Sequence, residues 1–245
     1  MDITQYRLTS DCHTHTIYSG DGKGTIEQNV CAAVEQGLSK IAITDHGFNH
    51  MAYGIKRKVV KEMRDEIERL KKVYPIEILL GIEANLISYN GDIDLTDEEV
   101  KLFDIILLGI HKSTKPKKFF GWFNFTLRNL MWDTKRHSRK TTDSYIKALH
   151  KYPIGILVHL HNIVRVDAIR IAKEAVKTGT LVELNNKHML FSQDEISAMA
   201  SLGAKFVIDS DAHTPQGVGN CPNVMEFLST HDVPLDNIVN LQKIG

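Results

Sequence analysis

The sequence is poor in cysteine. Its three cysteines, Cys12, Cys31 and Cys221, are odd in number, lie far apart and form no CxxC pair. This pattern argues against a disulfide framework and against a zinc ribbon. We expect all three thiols to be reduced and buried.

Long apolar runs and net charge are also absent. No stretch reaches the ~18 apolar residues that a membrane span requires, and the polar residues 1–9 lack the apolar core of a secretory signal. Lysine plus arginine (30) equal aspartate plus glutamate (30), so no overall field favours nucleic acid or a membrane surface. We therefore expect a cytoplasmic protein without a membrane partner, whose charge preferences are local. Nothing in the sequence indicates an oligomeric state.

The chain does contain a regular alternation of short β-branched runs and longer helical patterns. Its 245 residues, 42% hydrophobic, are long enough to bury one large core, so we predict a single domain spanning 1–245. The alternation predicts an α/β fold with a parallel sheet. The predicted strands are 6–12, 40–44, 77–82, 103–110, 154–158, 181–184 and 205–208. The predicted helices are 25–36, 56–74, 142–151, 167–178, 192–202 and 223–230.

Twelve histidines are present, and many of them follow predicted strands. Six of the seven strand ends carry residues that bind metals: Asp11, His13 and His15; His46; Glu83; His111; His159; Asp211 and His213. In a parallel barrel the carboxyl ends of the strands meet at one mouth, so residues far apart in sequence become neighbours. A lone histidine of this kind is more often structural, but a shared face favours a metal site at these ends.

The spacing within these groups suits metal binding. His13 and His15, at i and i+2, point to the same face of a strand, and Asp211 and His213 repeat that spacing. Glu83 offers two oxygens and can bridge two ions. The mixture of nitrogen and oxygen donors suits zinc, manganese or iron.

The ordered motifs HTH (13–15), TDH (44–46), GIEAN (81–85), GIHK (109–112) and SDAH (210–213) resemble the PHP superfamily, named for polymerase and histidinol phosphatase. The resemblance spans nearly the whole chain. It implies a distorted, TIM-like (β/α)7 barrel with two or three divalent metal ions and phosphoesterase activity.

The resemblance also implies a set of ligands. One ion is assigned to His13, His15, Glu83 and Asp211, and a second to Glu83, His111 and His159. A third is assigned to Asp21, His46 and His213, although the sequence around Asp21 is equally typical of a turn. His161 has the same strand parity as His159 and is the alternative ligand there. Asp45 and Asp209 flank ligands and are candidates to orient imidazoles or to stabilise turns.

For the reaction, a metal-activated hydroxide is expected to attack phosphorus. His213, Asp211 or Asp21 would protonate the leaving group, and Lys112, Arg165 and Lys187 are candidate phosphate-binding residues. A small phosphomonoester, such as histidinol phosphate, is the first expectation for the substrate. The alternatives are a phosphodiesterase or exonuclease acting on nucleic-acid ends and a regulatory metal-binding module without turnover.

A basic, aromatic insertion at about 113–140 interrupts the alternation. It can act as a lid that attracts an anionic substrate, pack against the barrel or a second subunit, or bind nucleic acid. We rank these interpretations in that order.

Overall fold

The computed structural model describes residues 2–115, 125 and 135–244. Its strands are β1 (Tyr6–Leu8), β2 (Ser10–Thr14), β3 (Lys40–Ile43), β4 (Glu77–Asn85), β5 (Ile105–Gly109), β6 (Ile156–Leu157), β7 (Leu181–Asn185), β8 (Phe206–Asp209) and β9 (Leu241–Lys243). Strands β2 to β8 form one sheet in sequence order, and every neighbouring pair is parallel. A parallel bridge between Thr14 and Ala212 brings β2 beside the end of β8. The predicted distorted (β/α)7 barrel is confirmed.

The α-helices of the described residues cover the outside of this sheet. They are α1 (Ile26–Glu35), α2 (Val60–Leu70), α3 (Asp97–Val100), α4 (Lys135–Lys151), α5 (Ala168–Thr178), α6 (Gln193–Ser201) and α7 (Pro222–Thr230). Capping boxes at Thr25, Thr96 and Ser192 begin α1, α3 and α6 by satisfying backbone N–H groups that the first turn leaves free. Residues such as Ile26 and Met63 pack fully buried between helices and sheet.

Several predicted boundaries are wrong, two of them with consequences for the fold. The predicted strand 6–12 is divided, since Tyr6–Leu8 pairs antiparallel with Leu241–Lys243 and only Ser10–Thr14 enters the barrel. The helix predicted to begin at residue 142 is already formed at Lys135, so the end of the basic insertion is helical. Phe125 is buried and packs edge-on against Tyr89, with ring centroids 4.9 Å apart. The lid interpretation falls mainly on 116–124 and 126–134, outside the described residues, and stays a prediction.

A small apolar cluster fills the barrel interior below the carboxyl ends of the strands. It comprises Cys12, Ala42, Leu107, Ile156, Val158 and Val207. Because side chains alternate along a strand, the residues four positions after Ala42, Leu107 and Val207 also face inward. These residues are His46, His111 and Asp211. The predicted ligands thus lie directly above this apolar cluster, at the carboxyl ends of the strands.

Two strands depart from this alternation. In β2 the register with β3 shifts between Asp11 and Thr14, and such a bulge re-aims the side chains that follow. Cys12 therefore belongs to the apolar cluster, while the side chain of His13, the next residue, lies in the mouth of the barrel. After β6, a positive φ of 34° at His159 has the same effect directly after Val158.

Among the described residues, no helix has both the length and the apolar character needed to cross a membrane. Cys12 and Cys221 are buried as predicted, whereas Cys31 is partly exposed and its thiol donates to the Tyr74 hydroxyl at 3.2 Å.

Candidate metal centre

Glu83 lies at the centre of the barrel mouth, and its carboxylate is almost fully buried. Imidazole nitrogens surround both of its oxygens. Around Oε1 lie His159 Nε2 (2.7 Å), His111 Nε2 (3.0 Å) and His13 Nε2 (3.4 Å), and around Oε2 lie His46 Nδ1 (2.6 Å) and His15 Nε2 (3.8 Å). A single carboxylate thus joins five imidazoles from four separate strand ends.

Asp211 forms the second acidic centre. Its Oδ1 lies 3.5 Å from His15 Nε2 and 3.9 Å from His13 Nε2. The two imidazoles of the HTH motif therefore face Glu83 on one side and Asp211 on the other. This is the arrangement that the i, i+2 spacing predicts.

Asp21, His46 and His213 form the outer edge. Asp21 Oδ2 lies 3.2 Å from both His46 Nε2 and His213 Nε2. The side chains of His213 and Asp21 are 26% and 19% exposed, whereas that of Glu83 is 1% exposed. All nine residues predicted as ligands therefore lie in one connected cluster, open to solvent at this edge.

The electrostatics of the cluster favour cations. Burial alone would raise the pKa of Glu83, but the surrounding imidazoles, His111 and His46 foremost, hold it well below its usual value. Burial likewise opposes ionisation of Asp211, but the charge of His13 and a hydrogen bond with His15 outweigh it, so its pKa is also lowered well below normal. Burial and the neighbouring charge of His46 lower the pKa of His15 to about 3. The acids are therefore ionised, and His15 is neutral and free to donate its lone pair.

Backbone strain concentrates at this mouth. The described non-glycine residues with positive φ are His159 (34°), His161 (76°) and Asp211 (55°), and such conformations persist only where their surroundings hold them. The strain explains why strand parity fails after β6. His161 turns away from the cluster: its Nδ1 accepts from Val166 N at 3.2 Å, and its Nε2 lies 3.3 Å from Glu195 Oε1.

Two residues that the sequence analysis did not identify orient the imidazoles. Glu183, in β7, lies with Oε1 2.6 Å from His13 Nδ1, and its Oε2 accepts the His159 backbone N–H at 2.6 Å. Asn85 Oδ1 lies 2.7 Å from His111 Nδ1. The seventh strand end, which had no predicted ligand, therefore provides an orienting carboxylate.

The interpretation of Asp45 and Asp209 as imidazole-orienting groups is wrong. Asp45 accepts from the backbone N–H and the hydroxyl of Thr16, both at 2.7 Å, and so stabilises the turn after His15. Asp209 accepts the Cys12 N–H at 2.6 Å and thereby joins β8 to β2.

Two further histidines line the mouth. The His50 ring stacks on His46 with centroids 4.7 Å apart, and the His188 ring meets His159 at 5.9 Å. Each follows a strand end by several residues within a loop, where no periodic pattern indicates direction.

Of the three residues predicted to bind phosphate, Lys187 contacts the cluster. Its Nζ lies 2.6 Å from His213 Nδ1 and 3.3 Å from Asp211 Oδ1, and its side chain is 41% exposed. Lys112 and Arg165 are exposed, and their roles stay predictions.

The donors fit a group of divalent metal ions. Several are buried polar atoms without a hydrogen-bond partner, among them His13 Nε2, His15 Nε2 and Asp21 Oδ1. Leaving such atoms unsatisfied is costly unless a cation completes them. Three overlapping triads place their donor atoms within 4.8 Å of one another: His15, His46 and His213; His13, His15 and Glu83; His46, Glu83 and His111.

This fold and this cluster define a class of protein: a (β/α)7 barrel with a histidine- and carboxylate-rich metal centre at the carboxyl ends of its strands. The family model described as "PHP domain" matches residues 11–187. The chain belongs to the PHP family.

Known proteins resemble the chain over nearly its full length. It is 28% identical to a "Probable phosphatase" of Caldanaerobacter subterraneus subsp. tengcongensis, over 96% of this chain and 87% of that protein. The fold resembles that of a histidinol phosphate phosphatase from Lactococcus lactis, solved with zinc, L-histidinol and phosphate (TM-score 0.58, 13% identity, 92% and 95% coverage). It also resembles a putative histidinol phosphatase of Listeria monocytogenes (TM-score 0.59, 16% identity, 86% and 97% coverage).

Proposed function

We propose that the protein hydrolyses a small phosphomonoester with the help of divalent metal ions. The observation that carries the proposal is the Glu83 carboxylate, buried and surrounded by five imidazole nitrogens from four strand ends. At the coarser level, the protein is a phosphate-ester hydrolase of the PHP family, in agreement with the names of its relatives. The monoester, the ligand sets and the residue roles are the finer parts of the proposal.

The proposed ligands fall into three sets, supported by the distances above. The first is His13, His15, Glu83 and Asp211; the second is Glu83, His111 and His159; the third is Asp21, His46 and His213. Nitrogen and oxygen donors together favour zinc, manganese or iron. The first two sets share Glu83, so they form a pair, and the third lies at the exposed edge.

When bound, the ions supply Lewis acidity, which lowers the pKa of water and neutralises charge on the phosphate. The chain's own residues would direct the approach of the ester and deliver a proton to the leaving group. Glu83 and Asp211 are buried, whereas Asp21 and His213 are partly exposed, so among the described residues this edge is where an ester would approach. The leaving group would depart on this side, where His213 or Asp21 would deliver a proton when it does not itself hold an ion; Asp211 lies deeper and would serve as a ligand.

Lys187 is the proposed phosphate-binding residue. Its ammonium stands beside Asp211 and His213 and is partly exposed, so it can exchange these contacts for a phosphate oxygen. A terminal phosphate with two negative charges gains more from such a cation than a diester with one. This difference favours a monoester over a diester or a nucleic-acid end.

The test is elemental analysis of the purified protein, followed by assays with p-nitrophenyl phosphate, its bis-ester and single-stranded DNA in the presence of manganese or zinc. We expect metal to co-purify and the monoester to be turned over fastest. Preferential turnover of the diester or of DNA would replace the proposal with a phosphodiesterase or nuclease. Bound metal without turnover of any of the three would indicate a regulatory module.

A pair of variants on one turn tests the ligand assignment. His159→Ala should lose metal and turnover, because its Nε2 faces Glu83. His161→Ala is the matched control, since its imidazole lies two residues away and contacts Glu195 instead. Equal metal loss in both variants would contradict the assignment.

A further inference from the structure

Asp94 lies outside the proposed ligand sets, yet it is connected to one of them through buried hydrogen bonds. It is 3% exposed and lies in the loop between β4 and α3. Its Oδ1 accepts the backbone N–H of Asn85 at 2.7 Å. Its Oδ2 accepts the Asn85 side-chain Nδ2 at 2.8 Å and the Asn49 N–H at 3.1 Å. The contacts described at Asp94 thus all come from N–H donors, so the side chain acts as an acceptor.

The contact with Asp94 determines which way the Asn85 amide faces. Because a carboxylate cannot donate, the NH₂ group of Asn85 must point to Asp94, and its carbonyl oxygen must point the other way. That oxygen lies 2.7 Å from His111 Nδ1 and also accepts from the Thr114 hydroxyl at 3.1 Å. His111 Nδ1 must therefore carry the proton. Its Nε2, which faces Glu83, is then left as a bare lone pair.

We propose that Asp94 and Asn85 are positioning residues that hold His111 in the tautomer able to bind a metal ion. The inference rests on the proposed role of His111 as a ligand and not on the identity of the substrate. Orienting partners of this kind commonly change metal affinity by ~10–100-fold when removed.

Gly47, directly after His46, leaves the space that this chain of contacts needs. A Cβ at this position would stand 2.5 Å from Asp94 Oδ2 and 2.9 Å from Asn85 Nδ2. The Gly47 N–H also donates to the Glu83 carbonyl at 2.8 Å. The loop that presents His46 therefore packs directly onto the atoms that orient His111, and a side chain here would push the amide away.

Exchanging the two polar groups tests the proposal. In Asp94→Asn alone, two amides face each other, so the Asn85 amide can adopt either orientation. In Asn85→Asp alone, two carboxylates face each other and repel. In the double variant Asn85→Asp/Asp94→Asn, the amide at 94 can donate to the carboxylate at 85, which still accepts from His111. The Asn49 N–H, which Asp94 Oδ2 accepts in the wild type, loses its acceptor in the double variant. We therefore expect each single variant to bind zinc ~10–100-fold more weakly and the double variant to recover part of that loss.

The readouts are zinc affinity by chelator competition and the ¹⁵N shifts of the His111 ring in metal-free protein, both independent of turnover. Asp104→Asn is the matched control, because Asp104 also accepts a β4 backbone N–H, from Leu80, but is far from the cluster. Wild-type affinity and an unchanged Nδ1–H tautomer in both single variants would overturn the proposal. So would a double variant no better than the single ones. If a single variant does not fold, the double variant alone decides, by showing or lacking the wild-type tautomer.

Discussion

The inner and outer halves of the barrel mouth are built differently. In the inner half, His13 and His111 face Glu83 through one ring nitrogen and are held at the other by Glu183 and Asn85. In the outer half, His213 shares Asp21 with His46 and contacts a partly exposed lysine. An imidazole with a partner at each of its two ring nitrogens loses contacts when it moves. The partly exposed side chains of the outer half can exchange one partner for another. Under the proposed function, the inner ligands would hold a permanent pair of metal ions, and the outer edge would open to substrate.

The largest expected effect comes from Glu83→Gln. An amide cannot bridge two cations, so the inner pair should be lost together. We expect turnover to fall by roughly 10³-fold or more, since several kcal/mol of charge stabilisation disappear. Metal content by elemental analysis should fall with it. Glu77→Gln, at the opposite end of the same strand and paired with Lys40, is the control and should retain both. Retention of two ions by Glu83→Gln would remove the distinction between the halves.

The outer edge should be less critical. His213→Ala should lower turnover by about 10²-fold, the scale of a lost proton donor or an outer ion, while the inner ions stay bound. Metal content per chain measures the second part directly. Loss of all metal in this variant would mean that the two halves form one cooperative site.

Lys187→Met tests whether the outer edge of the mouth contacts substrate. A lost charge-assisted hydrogen bond of about 1.5 kcal/mol corresponds to an increase in KM of about tenfold, with little change in kcat. Lys40→Met, at the other end of the barrel, should leave both constants unchanged. An unchanged KM in Lys187→Met would leave Lys187 as a structural partner of Asp211 only.

The smallest expected effect is the pH dependence of metal binding. Burial would lower the pKa of His46, but the charges of Glu83 and Asp21 raise it to about 10, so the metal-free protein carries a proton there at pH 7. A bound ion must displace that proton. Neighbouring carboxylates, against the effect of burial, also raise the pKa of His13 and His159. Affinity should therefore weaken as the pH falls and strengthen as it rises, with release of at least one proton per chain at neutral pH. Calorimetry in buffers of different ionisation enthalpy measures this number, and a value of zero would contradict the assignment of His46.

The residues of the cluster could be found from the sequence because one topological rule brings them together. In a parallel barrel every strand ends at the same mouth, so His46 and Asp211 could be placed as neighbours without any knowledge of their contacts. The rule fails where the backbone leaves the regular strand. His161 was a candidate by parity, but the positive φ at His159 turns it toward Glu195, and nothing in the sequence marks that angle.

The orienting residues were missed for a different reason. Glu183 acts on His13 across the barrel from a strand that is not the neighbour of β2, so only three-dimensional distance reveals it. Asn85 lies in the GIEAN motif, but its role depends on Asp94, which follows in a loop of no regular period. The pairing of β1 with β9 is also long-range and involves three-residue strands, which leave little periodic signal.

The most direct test of the account is a crystal structure of the protein grown with manganese or zinc, with anomalous data collected at the absorption edge of the metal. We expect two strong peaks bridged by Glu83, with nitrogen and oxygen atoms at about 2.0–2.3 Å, and a weaker peak beside Asp21 and His213. Imidazoles splayed away from Glu83, with no anomalous peak between them, would contradict it.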